Sequence, residues 1–262
     1  MNIVVLTKLV PDTTAEKRLA ADNTLDRASA PVVINPWDEY AIEEALRIKE
    51  STGSGEVALL LMAPEQGAQE AIRKGLAMGA DRAVLITDPA LHGTDIWGTA
   101  YVLAQALKKL SYDMILCGSQ STDAGGGLVH GMIAAMLGLP KVTWINEIEA
   151  GNGIVRGRRA SDVGFDVIEA QLPALVSVTQ TGHEPRYPTL PNIMKAKRKE
   201  VLTWALADLG IAAGQVGQAG AKTAVLSSER PESRRETEVY KAAGGDEAAR
   251  YIADYLERRK LL

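Results

Sequence analysis

The chain has 262 residues, of which 46% are hydrophobic and 24% charged, enough apolar material for one large domain or for a domain with an appendage. Its formal net charge of −4 argues against nucleic-acid binding, and its single cysteine excludes an intramolecular disulfide and suits a reducing cytoplasm. No apolar run reaches the roughly 20 residues that a membrane span needs, and the first residues lack a signal-peptide pattern. We therefore expect a soluble cytoplasmic protein without membrane insertion.

Strand-like and helix-like segments alternate over the first two-thirds of the chain. Predicted strands cover 2–8, 56–64, 82–87 and 113–118, and predicted helices cover 34–50, 65–79, 93–110 and the segment that ends near Gly138. Asn35 is the expected N-cap of the first helix, and Pro36 suits its first position. Thr94 or Asp95 is expected near the start of the third. This alternation predicts an α/β fold: a mostly parallel nucleotide-binding sheet with helices on both faces.

Between the fourth predicted strand and the fourth predicted helix lies the sequence CGSQSTDAGGG, residues 117–127, which we call the glycine loop. It matches neither the P-loop nor the GxGxxG pattern. Its position at the carboxyl end of a central strand, its small residues and the helix that follows nevertheless favour an anion such as a nucleotide phosphate. Asp123 is expected to cap that helix, since a carboxylate and a phosphate repel each other.

After Lys141 the pattern becomes strand-only. The strand-like segments, which follow one another with short breaks, are 142–150, 153–160, 165–172 and 174–180. They predict an antiparallel extension of the sheet.

A proline-bounded segment, 188–194, carries Leu190, Ile193 and Met194 and is followed by a basic helix. Prolines on both sides discourage burial in a regular element, so Leu190 or Ile193 is presented to solvent or to a partner, or else packs on its own sheet.

The C-terminal quarter lacks the apolar residues of a core. Residues 211–247, which include SSERPESRRE at 227–236, predict an extended arm that needs a surface to lie on. An amphipathic helix follows over 246–262. We hold two hypotheses for this helix: contact with a partner subunit, or packing on its own domain.

Residues for acid–base or metal chemistry are scarce. His92, His130 and His183 are scattered without the spacing of metal ligands, and Cys117 has the setting of a small buried hydrophobic residue. We therefore expect no catalytic residue and no metal site, and we favour binding or electron transfer in which a cofactor does the chemistry. Trp37 either belongs to the core or forms the wall of a site for a planar cofactor.

Longer segments carry a resemblance to a known family. The chain resembles the beta subunit of electron transfer flavoprotein over nearly its whole length, most closely at 4–12, 34–50, 71–84 and 184–201. Residues 157–178 are similar to the signature segment of the family, with two departures. Val163 stands where an acidic residue or glycine is usual, and Asp166 replaces a glutamate.

The resemblance implies a heterodimer with an alpha subunit that holds most of an FAD. Such a complex takes electrons from primary dehydrogenases, such as acyl-CoA dehydrogenases, and passes them to a quinone oxidoreductase of the membrane. The beta subunit binds AMP at the glycine loop. In this chain the implied cofactor contacts are Leu6, Asn35, Pro36, Trp37, Asp38, Met62, Gly118, Ser119, Gln120, Ser121, Thr122, Asp123, Ala124, Gly125, Gly126, Gly127, Leu128 and Val129.

The same resemblance places Trp37 near the flavin edge and makes Leu190 the anchor that docks dehydrogenases. Leu190, Pro191, Ile193, Met194 and Lys195 are the implied docking residues. The implied organisation is a nucleotide-binding domain over 1–185, a recognition loop and basic helix over 186–210, and an arm over 211–262 that wraps the alpha subunit.

One departure from the family leaves alternatives open. Residues 124–128 replace a polar stretch, so fewer side chains remain to identify the bound nucleotide. A second FAD in place of AMP, with NADH as donor, would make this an electron-bifurcating flavoprotein. A stand-alone, homodimeric ATP-sensing module is a rival from another class.

Overall fold

The computed structural model describes residues 1–16, 18–26, 30–180, 182–229 and 239–262. The strands are β1 Ile3–Thr7, β2 Leu9–Pro11, β3 Val32–Ile34, β4 Val57–Met62, β5 Arg82–Ile86, β6 Met114–Gly118, β7 Lys141–Ile145, β8 Glu147–Gly151, β9 Ile154–Ser161, β10 Gly164–Gln171, β11 Ala174–Val178 and β12 Val201–Trp204. The α-helices are α1 Pro36–Thr52, α2 Ala68–Met78, α3 Ile96–Leu107, α4 Val129–Leu137, α5 Leu190–Ala196, α6 Gly217–Gly220 and α7 Gly245–Arg258.

Seven strands form one sheet in the order β12-β5-β4-β1-β6-β11-β7, and every neighbouring pair in it is parallel. The chain builds outward from β1 through β4 and β5, then returns to place β6 on the other side of β1. The carboxyl ends of β1 and β6 therefore flank the point where the strand order reverses, which is where open α/β sheets bind ligands.

Each face of this sheet is covered by its own apolar cluster. Ile3 and Val5 of β1 join the cluster that includes Ile42 of α1, whereas Val4 joins the cluster that includes Leu103 of α3. Because successive side chains of a strand point to opposite faces, a strand covered on both faces is apolar at every position. The predicted α/β class with helices on both faces is confirmed.

The strand-only segment divides differently from the prediction. Its first and last strands, β7 and β11, are parallel members of the main sheet, and only β8, β9 and β10 are antiparallel, in a separate sheet. Gly157 of β9 lies so close to β7 that a Cβ there would be 2.7 Å from the side chains of Val142 and Ile145. The local pattern predicts strands but not their partners, since pairing depends on long-range packing.

The first part of the predicted arm lies on the chain's own α/β domain. Ile211 and Val216 are buried in the apolar cluster that covers α3, and the backbone N–H groups of Lys222 and Thr223 donate to the Asp95 carboxylate. The beginning of the predicted arm thus packs on the α/β domain, because two apolar residues suffice to anchor an otherwise polar stretch. Most of the predicted polar segment 227–236 lies outside the described residues.

The chain separates into two compact units, 1–225 and 226–262. The second contains α7, which confirms the predicted terminal helix, and the described part of α7 has no buried residue. Within this unit the rings of Tyr240 and Tyr251 stack with centroids 3.8 Å apart. Among the described residues, no helix combines the length and the apolar character that crossing a membrane requires.

Candidate functional site

The carboxyl ends of β1 and β6 are joined by one buried carboxylate. Asp38, in the first turn of α1 and 4% exposed, accepts hydrogen bonds from the N–H groups of Lys8 (2.8 Å) and Gly118 (3.1 Å). Burial raises the pKa of Asp38 to about 7, against the opposing effect of these hydrogen bonds. A Cβ at Gly118 would lie 2.5 Å from an Asp38 carboxylate oxygen, so this close approach requires glycine.

Asn35, which lies between β3 and α1, holds the glycine loop. Its side-chain N–H donates to the carbonyl oxygen of Gln120 (2.9 Å), and its amide oxygen accepts from the N–H of Thr122 (3.2 Å). Asn35 occupies the N-cap position of α1, but its side chain makes no capping hydrogen bond. Asn35 therefore lies at the predicted N-cap position, but the predicted capping hydrogen bond is wrong. Both the N–H and the oxygen of its side-chain amide bond the glycine loop instead, whose Gln120 is 85 residues further along the chain.

Lys8 connects β1 to the same loop. Its ammonium group lies 2.6 Å from the carboxylate of Asp123 and 3.1 Å from the hydroxyl oxygen of Ser121. The prediction that Asp123 caps the following helix is wrong, because α4 begins at Val129 and Leu128 holds the N-cap position. Sequence reasoning missed Lys8, since no local pattern pairs residues separated by more than a hundred positions.

The second half of the loop has the features of an anion cradle. Gly125 and Gly127 have φ angles of 60° and 59°, a left-handed conformation that glycine adopts without strain. Within the described part of the chain, the N–H groups of Gly126, Gly127 and Leu128 donate to no protein acceptor. They directly precede the N-terminus of α4, where the helix dipole adds positive potential. These residues therefore fit an anionic group such as a phosphate.

Aromatic side chains lie beside the cradle. Trp37, half-buried in the first turn of α1, contacts Trp144 of β7 edge to face, with ring centroids 6.4 Å apart. Trp144 has a φ of 60°, which is unusual for a non-glycine residue. Its backbone N–H donates to the hydroxyl of Ser177 (3.0 Å). His130 of α4 contacts Trp144 from another side, and burial lowers the pKa of its imidazole. Trp144 was not predicted as a site residue, because the local sequence shows only an aromatic residue near the end of a strand.

The remaining predicted contacts are distributed unevenly around this edge. Leu6 is buried in the core at the end of β1, and Met62 is half-buried at the end of β4. Ser119 is buried and donates to the carbonyl oxygen of Val178 (2.9 Å). The structure thus places these positions at one edge of the sheet. The hydroxyl of Ser119 is bonded within the protein.

The predicted docking residues share a short helix and not the irregular loop that their prolines indicated. Pro191 lies in the first turn of α5, where proline is tolerated, and Thr189 caps the helix. Leu190, Ile193 and Met194 are 74%, 42% and 58% exposed. Tyr187, which precedes this helix in the chain, is 94% exposed and was not predicted.

Two acidic residues of α1 hold the segment that leads to α5. The Arg186 guanidinium makes paired hydrogen bonds with the buried Glu43 carboxylate (2.8 and 2.9 Å) and with Glu50 (2.6 and 3.1 Å). Since α1 also carries Trp37 and Asp38, the exposed apolar surface and the cradle are attached to one helix.

No group of three or more potential metal-ligating side chains occurs in the described ranges. The described residues at this edge supply N–H donors, the Lys8 ammonium group, buried carboxylates and aromatic rings.

Comparison with known proteins shows which family the chain resembles in sequence. A model of the electron transfer flavoprotein domain matches residues 22–209. The electron transfer flavoprotein subunit beta of Mycobacterium tuberculosis (strain ATCC 25618 / H37Rv) is 40% identical over 267 aligned positions, covering 100% of this chain and 99% of the relative. That of Thermoanaerobacterium thermosaccharolyticum is 36% identical, and the caffeyl-CoA reductase-Etf complex subunit CarD of Acetobacterium woodii is 33% identical, each with 100% of both chains covered.

Proposed function

The chain belongs to the electron transfer flavoprotein family, and on that premise we propose that it is the beta subunit of a heterodimeric electron carrier. The alpha subunit holds most of an FAD. The complex accepts electrons from primary dehydrogenases, such as acyl-CoA dehydrogenases, and passes them to the respiratory chain through a quinone oxidoreductase. The observation that carries the proposal is the arrangement at the β1–β6 edge, where a cradle of N–H groups lies beside Trp144, which contacts the half-buried ring of Trp37.

The nucleotide proposed for the cradle is AMP. The N–H groups of Gly126, Gly127 and Leu128 would hold its phosphate, and the backbone from Asn35 to Asp38, with Leu6 and Met62, would line the rest of its site. AMP supplies no redox chemistry. Its binding would stabilise the folded chain by holding the carboxyl ends of β1, β4 and β6 together.

FAD supplies the redox chemistry when it is bound, and this chain contributes binding and orientation. Trp37 would help to hold the flavin, and the exposed Leu190 would anchor the electron donor. No residue of this chain is assigned an acid or base role, so the protein is a carrier subunit and not an enzyme by itself. We place the complex in the cytoplasm, in line with a single buried cysteine.

A bifurcating flavoprotein with a second FAD in the cradle and NADH as donor is the second candidate. The loop is compatible with this candidate, because residues 124–127 are alanine and glycine and no side chain there selects a monophosphate. Backbone N–H groups can donate to the oxygens of a monophosphate or of a diphosphate. The absence of the Asp-Gly-Asp-Thr-x-Gln pattern of bifurcating members counts against it.

Counting nucleotides decides between the two candidates. The chain is co-expressed with its alpha subunit, the complex is purified and denatured, and the released nucleotides are quantified by chromatography with mass detection. One FAD and one AMP per heterodimer is the expected result. Two FAD molecules would move the function to bifurcation, and a stable homodimer without alpha subunit or flavin would contradict both.

A further inference from the structure

Lys8 lies between two carboxylates at the cradle. Its backbone N–H donates to the carboxylate of Asp38, and its side-chain ammonium group donates to the carboxylate of Asp123. The Asp123 side chain is 3% exposed, whereas the Lys8 side chain is 38% exposed. A molecule arriving from solvent therefore reaches the ammonium group more readily than the carboxylate.

This arrangement bears on an electrostatic difficulty. The glycine loop carries a buried carboxylate a few residues from N–H groups that fit an anion, and like charges repel more strongly away from bulk water. The ammonium group of Lys8, at 2.6 Å, offsets the charge of Asp123. With Lys8 removed, the loop would lose this positive charge beside the proposed phosphate position.

We propose that Lys8 and Asp123 form a specificity-determining pair that sets how much negative charge the cradle accepts, and so favours a nucleoside monophosphate over a diphosphate. The Asp123 carboxylate offsets most of the positive charge of the Lys8 ammonium group. The small positive potential that is left suits one phosphate group held by backbone N–H groups. This inference rests on the proposed function, because it takes the cradle as the nucleotide site. It adds Lys8, which makes no part of the glycine loop, and it assigns the pair a role in selection.

Three variants separate charge selection from a purely structural role. They are Lys8→Met, Asp123→Asn and the double variant, each purified with the alpha subunit and stripped of bound nucleotide. AMP and ADP are titrated by calorimetry, and FAD content is recorded as a check on the fold. Lys49→Met is the matched control, because Lys49 forms a similar pair with Asp81 (2.7 Å), which also accepts the N–H of Val57 at the opposite end of the sheet.

Lys8→Met is expected to weaken AMP binding at least tenfold, and the double variant to recover most of that loss. Asp123→Asn is expected to shift the ratio of ADP to AMP affinity severalfold toward ADP, while Lys49→Met binds AMP like the wild type. A Lys8→Met complex with wild-type affinity, or a double variant as weak as Lys8→Met, would overturn the inference and leave the proposed function standing. A wild-type complex that binds neither AMP nor ADP would overturn the proposed nucleotide site, and the inference with it.

Discussion

At the scale of single residues, Asp38 determines how closely β1 and β6 are held at the site. Both oxygens of one carboxylate accept N–H groups from different strands, and the group is almost fully buried. Each of these N–H groups would lose its partner if the carboxylate were removed, and a buried unpaired donor costs roughly 1–3 kcal/mol. The contribution of Asp38 is therefore structural, although it lies within the proposed nucleotide site.

The raised pKa of Asp38 predicts a pH dependence of stability. The folded state binds the Asp38 proton with a pKa of about 7, and the unfolded state binds it at the ordinary value of 3.8. Between these values the folded state holds more protons, so this group's contribution to stability is complete below pH 3.8 and declines as the pH rises toward 7. Asp38→Asn should flatten that decline and lower stability overall, because its NH₂ group cannot accept an N–H.

Melting temperatures of the purified complex across this pH range, for the wild type and Asp38→Asn, test the prediction. Asp113→Asn is the control, since among the described residues its carboxylate accepts only the exposed N–H of Asn2. An Asp38→Asn complex as stable as the wild type, with an unchanged pH profile, would contradict it.

At the scale of elements, α5 presents an apolar surface that its own domain leaves uncovered. Leu190→Ala is predicted to slow electron uptake from an acyl-CoA dehydrogenase without releasing FAD, because a central apolar anchor contributes roughly 2 kcal/mol or more to such a contact. Stopped-flow flavin absorbance measures the uptake, and Leu202→Ala on β12, 36% exposed, is the control. Unchanged kinetics in Leu190→Ala would remove the docking role.

The attachment of this surface to α1 leads to a separate prediction for Arg186. Arg186→Gln should weaken the apparent affinity for the dehydrogenase while leaving the limiting rate of electron uptake unchanged, because it frees the segment before α5 without touching Trp37. It also leaves the buried Glu43 without its cation, so a modest loss of stability is expected. The concentration dependence of uptake is compared with that of Arg82→Gln, whose partner Glu56 lies elsewhere. A fall in the limiting rate alone would show that Arg186 does not position the docking surface.

At the scale of the whole molecule, the two units differ in how many apolar side chains they bury. Residues 1–225 contain both apolar clusters, whereas the described residues of α7 bury no side chain within their own unit. A chain ending at Val225 is predicted to keep its fold, as judged by circular dichroism, but to lose assembly with the alpha subunit in size-exclusion chromatography. Assembly of the shortened chain at undiminished affinity would contradict the role of the arm.

The local sequence was sufficient for much of the fold because its signals act over a few residues. Apolar runs predicted strands covered on both faces, and Pro36 and Gly138 predicted a helix start and a helix end that the structure confirms. The terminal amphipathic stretch predicted a helix that the structure places at Gly245–Arg258. Asp95 also caps α3, as one of two expected residues. The position of the glycine loop at the end of β6 followed from the alternation alone.

Only the tertiary structure decided which distant groups meet. Asn35 and Asp123 both carry side chains that suit helix caps, yet each is engaged by a residue more than eighty positions away. The pairing of β7 with β11, the burial of Ile211 and the contact between Trp37 and Trp144 likewise depend on the packing of the whole chain. Local propensity is a matter of each residue and its near neighbours, whereas the partner of a polar group is chosen by the fold that buries it.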